Sequence, residues 1–131
     1  MNTRFYDVAE LAGRVLISFL FISAGWSKIG GYAGTQGYME AMGVPGALLP
    51  VVIVTELGGG LLVLAGLWTR LAALALAGFS ILAGLLFHLK PDDQMQMILL
   101  TKNFAIAGGL LFLVAHGAGR FSIDARRRGT S

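Results

Sequence analysis

Residues 47–67 read ALLPVVIVTELGGGLLVLAGL, an apolar run broken by a single acid, Glu56. Its length matches the roughly 20 residues a helix needs to cross a hydrocarbon core about 30 Å thick. Lipid leaves no partner for a bare backbone donor, so the run reads as a transmembrane helix. Working outward, three more runs have the same character. They are about 9–28 (AELAGRVLISFLFISAGWSK), about 71–88 (LAALALAGFSILAGLLFH) and about 98–117 (ILLTKNFAIAGGLLFLVAHG). Trp68, Thr69 and Arg70 leave room only for a tight turn after the second run, so spans two and three are antiparallel neighbours. Pro45 and Pro50 flank the start of span two, where a first helical turn tolerates proline. Pro91, Asp92 and Asp93 break the chain before span four. The expected fold class is an all-α integral membrane protein. It is a four-transmembrane-helix antiparallel bundle, one transmembrane domain over 1–131, ending in a basic tail at 118–131.

Composition supports this. Of 131 residues, 56% are hydrophobic and 13% charged, against about 25% charged in a soluble domain. Mean hydropathy is +0.74. A disordered chain needs the opposite balance, and a soluble chain this short has too much surface for so few charges. There is no cysteine, which removes disulfides, cysteine zinc sites and iron–sulfur ligation. The net charge of +3 arises in Arg126, Arg127 and Arg128. A basic cluster after an apolar span is a topology signal, so no nucleic-acid partner is expected.

Lysine and arginine set the expected orientation. Arg4, Arg70, Arg120, Arg126, Arg127 and Arg128 fall on one side, and Lys28, Lys90 and Lys102 on the other. The richer side is cytoplasmic, which places both termini inside. The first span carries Glu10 and Arg14 early and has no clear cleavage site after it, so it reads as a retained helix and not a signal peptide. The stretch 30–46 (GGYAGTQGYMEAMGVPG) has two readings. Tyr38, Met39 and Met42 suit one face of a short interfacial helix, and the glycines suit an irregular loop.

Ionisable residues inside a span are the first functional candidates. Arg14 and Glu56 qualify. From helical rise their axial offset is roughly 8 Å, within joint reach if the two helices are neighbours. Side chains lean toward the helix N-terminus, however, so these two lean apart. A structural ion pair is one role for them. A proton-carrying or ligand-binding Glu56, with Arg14 beside it, is the other. A second group gathers at the outer leaflet: Lys28 and Trp26 end span one, His88 ends span three, and Lys102 and Asn103 begin span four. Such donors suit the carbonyl oxygens of a quinone headgroup, and they also suit plain interfacial anchoring. Gly58, Gly59 and Gly60 follow Glu56, and Gly108 and Gly109 follow Asn103, which lets neighbouring helices approach closely. His88 and His116 lie roughly 27 Å apart along the bundle, so one chain cannot give both to a haem. No metal site is expected, and no phosphate loop or nucleophile elbow appears.

Taken in order, Arg14…Gly25-Trp26-x-Lys28, Glu56-x-Gly58-Gly59…Gly66-x-x-Thr69-Arg70, His88 and Lys102-Asn103…Gly108-Gly109 resemble the DoxX family of small four-helix membrane proteins. The runs 24–46 and 121–124 (FSID) are especially similar to its bacterial inner-membrane members, and the resemblance extends from about Val8 to Asp124. It implies an inner-membrane bundle. The family name comes from subunits of a terminal quinol oxidase and thiosulfate:quinone oxidoreductase system, and other members are linked to oxidative-stress complexes. The resemblance places Arg14, Glu56, His88, Lys102 and Asn103 on recurring polar positions. Two functions follow as expectations. One is an accessory or small subunit of a quinone-linked membrane oxidoreductase, with a partner subunit supplying any metal centre. The other is a structural or assembly module, or a small-solute permease built as a homo-oligomer.

Overall fold

The structure is a computed structural model that describes residues 3–128, and among these it contains helices and turns with no strand. The last residues of the expected basic tail, 129–131, lie outside the described residues. Four helices are long and apolar enough to cross a membrane: Thr3–Gly30, Gly46–Ala65, Thr69–Phe87 and Gln94–His116. Each matches an expected span. The first begins six residues earlier than the apolar run, because Thr3–Gly30 continues helically through its polar start.

We label the helices α1 (Thr3–Gly30), α2 (Tyr32–Ala41), α3 (Leu49–Ile53), α4 (Gly59–Ala65), α5 (Thr69–Phe87), α6 (Gln94–His116) and α7 (Ile123–Arg127). The second span is not uniform. A 3-10 turn at Gly46–Leu48 leads into α3, a π-helical turn at Val54–Gly58 follows, and α4 completes the crossing. Chain direction alternates, so the bundle has a loop end, carrying α2 and the α5–α6 connection, and a terminal end, carrying the start of α1 and α7.

The stretch 30–46 resolves in favour of a helix. α2 is glycine-rich and weak on propensity alone. Tertiary contacts hold it: Met39 is buried, Tyr38 stacks on Phe87 with ring centroids 5.6 Å apart, and Gln36 Nε2 donates to Gly46 O at 3.1 Å.

The turn between α4 and α5 is built by the C-terminal segment. Gly66 (φ 70°) and Trp68 (φ 48°) both sit in the left-handed region, which costs a side chain like tryptophan about 1–2 kcal/mol. Asp124 of α7 holds it there. Its carboxylate accepts from the Trp68 and Thr69 amides at 2.8 and 2.9 Å, and its own amide donates to Gly66 O at 2.8 Å. Asp124 thereby caps the start of α5 from a distant part of the chain. Part of the expected tail is thus a docked helix, opened by Ser122 Oγ accepting from Ala125 N at 3.1 Å.

Packing is most extensive between α5 and α6, and the second span packs on both α1 and α5. α1 and α6 touch only sparsely. Phe21, Val63, Ala73, Leu76, Ala107 and Leu110 form the buried centre. Glycines set the close approaches. A Cβ on Gly59 would lie 3.0 Å from Leu76, and one on Gly60 would lie 2.9 Å from Ile22. Leu16, Phe19, Val54, Leu71 and Phe112 face outward, about 70% or more exposed, as lipid-facing side chains do.

Candidate functional site

Five polar side chains converge at the loop end. Lys28 arrives from the last turn of α1, Glu56 from the π-helical turn, His88 from the end of α5, and Lys102 and Asn103 from the start of α6. All five line one cavity of about 380 Å³, with Phe21, Ala24, Tyr38, Phe87 and Ile106 among its apolar walls. Trp26, expected in the same group, does not line it. It is 70% exposed, because Trp26 and Lys28 are two residues apart and a helix turns them to different faces.

Lys28 Nζ lies 2.7 Å from Glu56 Oε1, with side-chain exposures of 27% and 7%. The expected partnership of Glu56 with Arg14 does not form. Arg14 Nη1 donates to Val63 O at 3.1 Å and to Leu64 O at 3.2 Å, and Nη2 donates to Phe121 O. The reason is the lean of helical side chains. Arg14 points toward the start of α1 at the terminal end, and Glu56 points toward the start of its own span at the loop end. Arg14 is 1% exposed and joins α1 to the end of α4 and to the segment before α7.

The π-helical turn is what delivers Glu56. A π turn carries one extra residue and recurs at functional sites. The turn also meets α1 closely, for a Cβ on Gly25 would stand 3.0 Å from both Leu57 Cβ and Leu57 N. Gly25 thus lets α1 lie against the acid's own turn, one helical turn below Lys28.

Second contacts fix the other members. His88 Nδ1 lies 2.7 Å from Gln96 Oε1. An amide oxygen only accepts, so Nδ1 carries the proton and Nε2 is left as an acceptor in the neutral ring. Asn103 Nδ2 donates to Ser80 O at 3.0 Å, locking α6 to α5 where Gly84 allows close approach. Gln96 is the residue that sequence reasoning misses. Its signal is the Asp93-x-x-Gln96 spacing of a capping box. Asp93 does accept from Gln96 N, at 3.2 Å, and this places Gln96 at the helix start beside His88. Tyr38 belongs to the cavity because α2 is ordered over its mouth.

The sequence profile of the family described as DoxX matches residues 9–89. The chain belongs to the DoxX family. The matched part of this DoxX protein carries Lys28, Glu56 and His88, while Lys102 and Asn103 lie beyond it in the fourth span. The chain is similar to the inner membrane protein YqjF of Escherichia coli (strain K12), 52% identical over 118 residues, covering 90% of this chain and 91% of that one. The inner membrane protein YphA of the same organism is 32% identical over 140 residues, covering 96% and 100%. A Bacillus subtilis (strain 168) protein named "Putative oxidoreductase CatD" is 32% identical over 111 residues, covering 82% of each chain. No solved structure matches significantly.

Proposed function

We propose that this DoxX protein is an inner-membrane quinone-binding protein, serving as an accessory or small subunit of a membrane oxidoreductase, with both termini cytoplasmic. The observation that carries this reading is the convergence of Lys28, Glu56, His88, Lys102 and Asn103 on one largely apolar cavity. Small-molecule sites have this make-up, with apolar walls and a few placed polar groups. The oxidoreductase name of the Bacillus subtilis relative is in keeping with it.

A quinone supplies a carrier for two electrons and two protons, and its ring offers two oxygens. Lys102 donates to one of them. His88, with Nδ1 held by Gln96, would turn Nε2 toward the other. Glu56 is the group that takes or gives a proton at depth, and Lys28 holds it in place. Phe87 and Tyr38, stacked on one another, would form part of the apolar wall beside the ring. Electrons come from and go to a partner subunit, since this chain has no cysteine for a cluster.

The test is binding of a tail-less benzoquinone to the purified protein in detergent, measured by equilibrium dialysis. Wild type binds it, and Lys102→Ala and His88→Ala each weaken binding about tenfold, the worth of one desolvated hydrogen bond. Absence of binding, or indifference to both substitutions, overturns the reading.

A further inference from the structure

A second cavity, of about 370 Å³, lies toward the terminal end and is lined by Gly13, Arg14, Ile17, Gly109, Leu113 and His116 among others. Both cavities open on one seam, between the first and last spans. The α1 positions run 13, 14 and 17 in this cavity, then 20, 21, 24 and 28 in the other. On α6 they run 99, 102, 103 and 106, then 109, 112, 113 and 116. Steps of three and four keep one helix face, so the two lining sets are a single stripe on each helix. This seam is also outside the extensive helix contacts, which run between α5 and α6 and between the second span and α1.

One helical turn separates the cavities. The neck there is formed by Ile17 and Gly109, where a Cβ on Gly109 would stand 3.4 Å from Ile17 Cδ1. The two helices are in van der Waals contact at this point, so a tail crosses on the outer side of Gly109, which is exposed, and a leucine at 109 would stand in its path. Between the headgroup residues and Arg14 the stripe offers Leu20, Phe21, Ala24, Ile106 and Leu113, with no charge.

We infer that this seam holds the hydrocarbon tail of the molecule whose polar head occupies the loop-end cavity, a long isoprenoid tail running from beside Ala24 past Gly109 toward Gly13. The inference rests on the headgroup reading above. Its occupant is set by continuity with that cavity, by the apolar stripe, and by a length of about 22 Å from Lys28 to Gly13 at the helical rise. The seam faces the bilayer along its length, so a tail can enter sideways from lipid without passing through the bundle.

The experiment compares a tail-less benzoquinone with a long-tailed isoprenoid quinone on wild type, Gly109→Leu and Gly13→Leu in the same detergent. Partition of the tail into micelles is common to all three proteins and cancels in the comparison. A Cβ on Gly13 meets nothing within 4 Å, so Gly13→Leu fills the second cavity without a clash. Both substitutions lower long-tailed affinity about tenfold and leave tail-less affinity within about twofold, which also shows that the variants are folded. If neither quinone binds wild type, the headgroup reading fails and this inference with it. If the tail-less ring binds and both variants keep the wild-type ratio, the tail inference alone is overturned. A changed particle mass for Gly109→Leu with the ratio intact overturns it in favour of a self-association face.

Discussion

Lys28 and Glu56 form an ion pair of 2.7 Å between the last turn of α1 and a π-helical turn of the second span. The carboxylate is the deeper member. Removal of one member of such a pair leaves the other charge uncompensated in a poor solvent, which is more damaging than removal of both.

Lys28→Met therefore destabilises the protein by about 3 kcal/mol, and the double variant Lys28→Met/Glu56→Leu recovers most of that. Thermal unfolding in detergent, run as a double-mutant cycle, measures the coupling. Equal stability of the single and double variants would show that the pair is not held in the folded bundle.

The glycines where the first and second spans meet separate by what they face. Gly58 has nothing within 4 Å of a Cβ position, whereas Gly25 and Gly60 meet backbone or packed side chains. Gly58→Ala is neutral or stabilising by up to about 1 kcal/mol, through helix propensity and the entropy of the unfolded chain. Gly25→Val and Gly60→Val each cost about 1–3 kcal/mol by overpacking. Melting temperatures of the three variants decide this. Gly25→Val also moves the turn that carries Glu56, so on the quinone-binding reading proposed above the affinity for tail-less benzoquinone falls with it.

Asp124 provides a pH signature. Partial burial pushes its carboxyl up, but the amides of Thr69 and Trp68 and the charge of Arg128 outweigh this and hold it below its ordinary value. A carboxyl lowered on folding adds stability above the unfolded-chain value of about 3.9 and gives it up as pH falls through the lower folded value. Asp124→Asn keeps one oxygen acceptor but loses the second and the charge, and is accordingly less stable than wild type near neutral pH by about 1 kcal/mol. The difference closes below about pH 4. A gap that persisted unchanged in acid would count against the capping role.

Arg14→Lys tests the terminal-end brace. A lysine ammonium cannot reproduce a fork that reaches three carbonyls in two segments. We expect a loss of roughly 2–4 kcal/mol and faster amide exchange over residues 121–125, with tail-less quinone affinity unchanged. Loss of binding instead would place Arg14 in the site itself.

The four crossings are legible because span length and apolarity are one-dimensional properties. Four of the lining residues, Lys28, His88, Lys102 and Asn103, are legible too, since depth along each helix groups them at one end, whereas depth alone sets Glu56 beside Arg14 and not with them. Partnerships are not. The pairing of Glu56 with Lys28 depends on which way side chains lean and on the π turn, and no periodicity in VTELG signals that turn. Arg14 finds backbone carbonyls exposed at the end of α4, which are invisible until the C-terminal segment folds back. Trp26 shows the converse error, in that proximity in sequence to Lys28 put it in a group that helix geometry takes it out of. The order in 30–46 comes from Met39 and Tyr38 docking on the bundle, against their glycine-rich surroundings.

The turn at Val54–Gly58 makes the acid's address a matter of residue count. Remove one residue from it, Gly58 for instance, and the span winds as an unbroken α-helix. Everything on its loop-end side then rotates by about 100° relative to α4. Val51 and Val54, now turned outward, swing along the circumference while α4 keeps its seat against α5. A chain with the same side chains but one residue shorter would still cross the bilayer, and the geometry that aims its carboxylate at Lys28 would be gone.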